Sequence, residues 1–394
     1  MNLPNSRPIP RSHAIYTIAI IGFIYTLHLV IPMYSNSSFL SMFADERTVG
    51  YIYMAGAAVS ILGFLLIPSI IRKLGNYSVT LWMVLIQILL FWGLTTSTEP
   101  LLTVFFFIMQ TAVIAIIGLN LDIFLEAYTD NTNVGSVRGL YNTSLNASWV
   151  IAPLIGSMLI NGNNNYHNTY VAGLFMLIPL FYLIYRNFPR FKDPNYQHFS
   201  PWQLAKHIYK NKNWDKLFAA NLVLQTFYAW MVVYSPIYLN KVIGFSWEDI
   251  GIIIVVMLIP FVLIQYPLGK LADKKYGEKE MMIAGFIVMG LSTALLAFIH
   301  TNNIAVWAIA FFITRIGAAT AEIMIETYFF KTVSTRDAAA LGVFRITRPL
   351  SYFTGPLLSI IGLMFITNQA YMFIVVGVVC LLALIPILTI KDTN

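Results

Sequence analysis

The stretch IAVWAIAFFITRIGAATAEIMIETYFFK, Ile304 to Lys331, decides the fold. At about 1.5 Å per residue it is long and apolar enough to cross the roughly 30 Å hydrocarbon layer of a bilayer as one helix. It nevertheless carries Arg315, Glu322 and Glu326. With about 100° of rotation per residue, steps of seven and then four return almost to the starting direction, so the three charges share one face. That face does not look at lipid. Ionisable groups at membrane depth cost about 2.5 kcal/mol or more unless they face protein or water, and they mark transport paths and gates.

The same helix has an echo earlier in the chain. Leu121 to Tyr128 reads LDIFLEAY, and 200 residues later Ala321 to Tyr328 reads AEIMIETY, with acid, Ile, acid and Tyr aligned. APLIGS at Ala152 to Ser157 lies 203 residues before GPLLSI at Gly355 to Ile360. Aligned carboxylates inside apolar helices make the chain two homologous halves, a construction found in transporters.

Of 394 residues, 58% are hydrophobic and 10% charged, which places the chain among polytopic membrane proteins rather than soluble ones. Twelve apolar runs are centred near Gly22, Val59, Ile86, Ala112, Val150, Met176, Tyr228, Met257, Val288, Phe311, Tyr352 and Val376. The expected fold is therefore an all-α membrane protein, twelve transmembrane helices in two six-helix pseudo-symmetric bundles. Residues 1–185 form the first bundle, 186–216 a linker and 217–394 the second bundle. The net charge of +7 reads as topology rather than nucleic-acid binding. With the N-terminus inside, nearly all Lys and Arg fall on one side, leaving only Arg47 and Lys241 outside, so both termini are expected in the cytoplasm. The apolar run after Met1 to Arg11 exceeds a signal-peptide core and is expected to stay attached as the first span, roughly His13 to Leu40. In the linker, SPWQLAKHIYKN starts with a capping Ser200 and Pro201 and reads as a short helix, either interfacial or solvated. The single cysteine, Cys380, precludes an internal disulfide.

Between the eighth and ninth spans stands GKLADKKYGEK, Gly269 to Lys279. It resembles the signature cytoplasmic loop of the major facilitator superfamily, with Lys274 where arginine is usual and an extra residue, Tyr276, before Gly277. The first-half counterpart, PSIIRKLGNY at Pro68 to Tyr77, keeps Gly75 but has Arg72 in place of the acid. APLIGS and GPLLS also resemble the Gly-Pro motif of many antiporters of that family, although close helix packing explains proline and small residues as well. The resemblance spans nearly the whole chain. It implies a secondary transporter with a solute site between two bundles.

The charges divide by depth. Asp122 and Glu126 lie near the cytoplasmic end of the fourth span, close to Arg138. The simplest reading is a cytoplasmic gate of Glu126 with Arg138, Glu326 with Arg336 or Arg345, and Asp273 facing the start of the fifth helix, whose N-terminal dipole favours an anion. Direct proton coupling by the carboxylates and static ion pairing are the alternatives. Arg315 and Arg348 lie near the midplane and, with Glu322 and Arg345, suggest a cavity that takes a carboxylate or phosphate; mutual neutralisation of Glu322 and its cations is the plainer alternative. Asn142 and Asn146, and Asn221, Gln225 and Tyr228, recur at helical spacing and could line a cavity or bond helix to helix. His28 could carry a coupling proton or simply pack.

The expected function is secondary active transport of a small organic solute by alternating access, coupled to protons through Glu322 or Asp122. Efflux is slightly favoured over uptake of a sugar, nucleoside or organic anion. A transporter-like receptor is the competing class. No phosphate-cradling loop, metal-ligand spacing or nucleophile elbow occurs, so neither an enzyme nor a cofactor is expected. The expected partners are the substrate, protons and the bilayer, with the chain acting as a monomer.

Overall fold

The computed structural model describes residues 11–129, 134–160, 165–189, 191–193, 213–264, 267–268, 277–332 and 338–391. Its regular structure is helical, with no strand among the described residues. The first half comprises α1 (Arg11–Met33), a short α2 (Asn36–Leu40), α3 (Glu46–Leu74), α4 (Asn76–Thr96), α5 (Pro100–Ala127), α6 (Val134–Ile160) and α7 (His167–Asn187). The second comprises α8 (Trp214–Tyr238), α9 (Trp247–Leu263), α10 (Gly277–Leu295), α11 (Ile304–Thr332), α12 (Ala338–Phe365), α13 (Met372–Leu382) and a short α14 (Leu384–Leu388). Ten helical segments among the described residues are long and apolar enough to span a membrane. The two further spans are α9, of 17 residues, and α12, which carries Arg345 and Arg348. Twelve spans result, as the apolar runs predict. The short helix expected in the linker lies outside the described residues.

One boundary differs from the sequence expectation. The first span stops at Met33 rather than Leu40, and α2 follows a short turn. Ser35, Asn36, Ser37 and Ser38 explain the break, since their short polar side chains compete for backbone hydrogen bonds.

By packing, the chain falls into two compact units. One is Met1–Tyr34 with Val59–His198, the other Ser35–Ala58 with Phe199–Asn394. Inside the first unit α1 packs on α6 and α7, and α4 on α5 and α7. Inside the second α8 packs on α12, and α10 on α11 and α13. First span on fifth, third on fourth and third on sixth thus recur as seventh on eleventh, ninth on tenth and ninth on twelfth. The repeat legible in the sequence is a repeat of helix pairings.

Lipid tails are as apolar as the helices, so association in a bilayer rests on close packing and on hydrogen bonds between helices. The α10–α11 crossing shows the first. A Cβ on Gly285 would lie 2.8 Å from the Ala321 nitrogen and 2.9 Å from the Gly317 carbonyl oxygen, so the two backbones touch where only glycine fits. Hydrogen bonding fixes the N-terminal end of α9. Asp249 N–H donates to Ser246 Oγ at 3.2 Å while Ser246 N–H donates to the Asp249 carboxylate at 3.1 Å, a reciprocal cap after Gly244 at φ +87°.

Candidate functional site

On α11 the predicted charged face is real and graded. Arg315 is buried at 2% exposure, Glu322 is half-buried and Glu326 is exposed, so the face opens progressively toward the Glu326 end. Ile313 is exposed too, nine residues before Glu322 and therefore about 180° around the helix. One side of α11 is apolar and suits lipid; the other carries carboxylates.

Two further helices share this division. On α6, Asn142 and Asn146 are exposed, whereas the exposed Ile151 and Met158 lie about 160–180° away from Asn142. On α12, Arg348 is exposed and Met364, also exposed, is about 160° away. By contrast α7 exposes Val171, Phe175, Ile178 and Tyr182, an apolar and aromatic face throughout. An exposed arginine or pair of asparagines at membrane depth is stable only against water or a partner.

The basic residues of this region occupy different surroundings. The Arg315 guanidinium lies 4.8 Å from the Phe227 ring centroid and 5.7 Å from that of Tyr228, both on α8. Tyr228 itself lies beside Glu322, and its hydroxyl reaches the Ala318 carbonyl at 3.4 Å. Arg315 is therefore sandwiched inside the second unit, whereas Arg348 stands at a surface next to Tyr352. Arg315 packs on aromatic rings and, with Glu322, acts on Tyr228, while Arg348 is exposed. The side chain of Arg345 lies outside the described residues.

The softer candidates also separate. Asn221 is buried and donates from Nδ2 to Thr347 Oγ1 at 2.9 Å, tying α8 to α12, while Gln225 is half-buried. Fully buried His28 directs Nδ1 at the Tyr25 carbonyl. A carbonyl only accepts, so Nδ1 carries the proton and Nε2, 3.5 Å from Gln87 Nε2, is left as an acceptor. Its ring also stacks at a tilt on Tyr25 and Phe91 at 5.3 and 5.4 Å.

At the expected gate, Asp122 is half-buried and Glu126 exposed near the end of α5. Gly277, at φ +66°, opens α10. Gly269, Asp273, Lys274 and Arg336, and the side chain of Arg138, lie outside the described residues. The degenerate first-half loop holds a residue that sequence reasoning missed. Asp193, at the root of the linker, accepts from the Asn76 N–H at 2.8 Å and so caps α4, the helix that follows the loop. Gly75 makes room for it, with φ +79° and a hypothetical Cβ only 2.8 Å from the Asp193 carboxylate. Phe188 and Phe191 pin the same root to Phe124 on α5, at 4.9 and 4.6 Å. The only sequence signal was an acid a few residues after the sixth span, on the same side as Gly75.

Two solved structures similar to this chain are the nucleoside transporter NupG, with TM-score 0.73, and a point mutant of NupG, with TM-score 0.76. Each is 15% identical in sequence and aligns with 96% of this chain, covering 100% and 99% of the NupG chains respectively. At that identity the likeness establishes a shared fold. No curated relative matches the sequence. The profile of the Major Facilitator Superfamily matches residues 18–274 and 236–394. With twelve spans, repeated helix pairings and a match over nearly its whole length, this integral membrane transporter belongs to the Major Facilitator Superfamily.

Proposed function

We propose that the protein is a secondary transporter that moves a small polar organic solute by alternating access, with nucleosides as the first substrate class to test. The observation that carries the reading is the two-sidedness of α6, α11 and α12, where Asn142, Asn146, Glu322 and Arg348 occupy sides roughly opposite exposed Ile and Met residues. Asparagines and a carboxylate suit the hydroxyls and amides of a neutral sugar-base compound, and NupG, the structural neighbour, is a nucleoside transporter.

Coupling to protons belongs to the same proposal. Glu322 is our coupling group: half-buried, beside Tyr228 and on the face of Arg315, it sits where loss of its charge changes the neighbouring interactions most. Glu126 with Arg138, and Glu326 with Arg336 or Arg345, would latch the cytoplasmic side when the solute site faces outward, with both termini in the cytoplasm. The experiment is uptake of labelled uridine into proteoliposomes, with and without an inward proton gradient. Uptake above empty liposomes that rises with the gradient is expected. In the Glu322→Gln variant gradient-driven accumulation disappears while uridine exchange persists; unchanged accumulation there removes Glu322 from the coupling role. Absence of any uridine flux while another metabolite class is moved would reject the substrate.

A further inference from the structure

Residues 35–58 belong by sequence to the first half, yet they pack with the C-terminal helices as part of the second compact unit. Four contacts hold them there. The Gln369 amide donates to both carboxylate oxygens of Glu46, at 2.8 and 2.7 Å. The Arg47 guanidinium donates to the Leu363 carbonyl at 3.3 Å. Tyr53 stacks on Tyr352, with centroids 6.3 Å apart and planes inclined by 15°. Gly50 lets α3 lie against α8 and α12, since a Cβ there would be 2.9 Å from the Tyr234 hydroxyl and 3.2 Å from Ile360.

Beneath this joint lies a cavity lined by Glu46, Trp230, Tyr234, Ser359, Leu363 and Gln369. Its volume of about 20 Å³ admits a single water, whereas pockets for organic ligands run to about 300 Å³ or more. Size rules it out as a solute site and makes it the seam of a closed joint. The Glu46–Gln369 hydrogen bonds across that seam join two side chains, both half-buried at its rim, so they can exchange for water without exposing a buried charge.

We propose that residues 35–58 form an outer strap, that the Glu46–Gln369 hydrogen bonds are its latch, and that release of this latch opens the outer route to the solute site. The proposal rests on the transport reading, and on the charge-based assignment of this end of α3 to the outer side. It assigns to a carboxylate–amide pair on the outer side the task that ion pairs are proposed to perform on the inner one.

The test needs no substrate. The sole cysteine is replaced, Cys380→Ser, and Ser359→Cys, at 1% exposure, reports from the wall of the seam. Labelling of this cysteine by a membrane-impermeant maleimide added from the outer side is slow with the latch intact. Gln369→Ala should accelerate it about tenfold, and Gln369→Glu, which sets two carboxylates together, at least as much. Ser157→Cys, buried at 6% in the other unit, is the control and should not change. Equal labelling of the Ser359 reporter with and without Gln369 overturns the latch, as does a parallel rise at the Ser157 reporter, which would mean general loosening. Accelerated labelling in a protein that moves no uridine would leave the strap standing and reject only the substrate.

Discussion

Replacing Arg315 should destabilise the second unit by an amount that the geometry bounds. The guanidinium is 2% exposed and lies over Phe227 and Tyr228, so water cannot take over its contacts. A desolvated cation–π contact is worth about 2 kcal/mol, and two rings sharing one cation give less than twice that. Arg315→Lys keeps the charge but loses the planar stack, for a cost of about 1 kcal/mol. Arg315→Met loses both, about 2–3 kcal/mol. Part of the second cost is electrostatic, because Tyr228 lies in the field of Arg315 and of Glu322, two turns further along α11. Two helical turns are about 10 Å, at which unit charges in an effective dielectric of about 20 interact by about 1.7 kcal/mol. A double-mutant cycle of Arg315→Met with Glu322→Gln, followed by thermal unfolding in detergent micelles, should therefore show a coupling of about 1–2 kcal/mol. Additivity within about 0.5 kcal/mol would refute the claim that Arg315 and Glu322 interact along this face.

Other substitutions probe the packing around this centre. Asn221→Ala removes the bond to Thr347 and should cost about 0.6–1.7 kcal/mol, with Thr347→Val no worse in the Asn221→Ala background than alone. Gly317→Ala sets a methyl group 2.7 Å from the Gly285 carbonyl oxygen, so overpacking of about 1–3 kcal/mol should outweigh alanine's helix preference of about 1 kcal/mol and lower the unfolding temperature. In the turn before α3, the Thr48 side chain and N–H hold the Asp45 carboxyl below its ordinary range. A lowered folded-state value contributes stability above the unfolded pKa that fades as pH falls through the folded one. Asp45→Asn should therefore lower the unfolding temperature at neutral pH, converge with the parent protein in acid, and so flatten the acid limb below about pH 4; an unchanged acid limb would contradict the cap.

What the sequence disclosed and what it withheld follow from one distinction. Spacing within a helix is legible because rotation per residue is fixed, so Arg315, Glu322 and Glu326 could be placed on one face and Asn142 with Asn146 on another. The repeat was legible because acids recur in register at Asp122 and Glu322. Partners across helices were not. Nothing near Arg315 announces Phe227, 88 residues earlier, and nothing near Asn76 announces the capping Asp193. The strap was hidden for the same reason, since Glu46 and Gln369 are 323 residues apart. Where the first span was drawn through to Leu40, apolar content outweighed the local signal of three serines and an asparagine.

The central claim is that polar residues of α6 and α12 border water in mid-membrane. In a Cys380→Ser background, single cysteines at Asn142, Asn146 and Arg348 are compared with cysteines at Met158 and Phe175 for reaction with a small charged thiol reagent in membranes. Cysteines at the three polar positions should react at least about tenfold faster than those at Met158 and Phe175, because thiolate forms in water and not in lipid. Equally slow reaction at all five would contradict the account, since no aqueous path would then reach these helices.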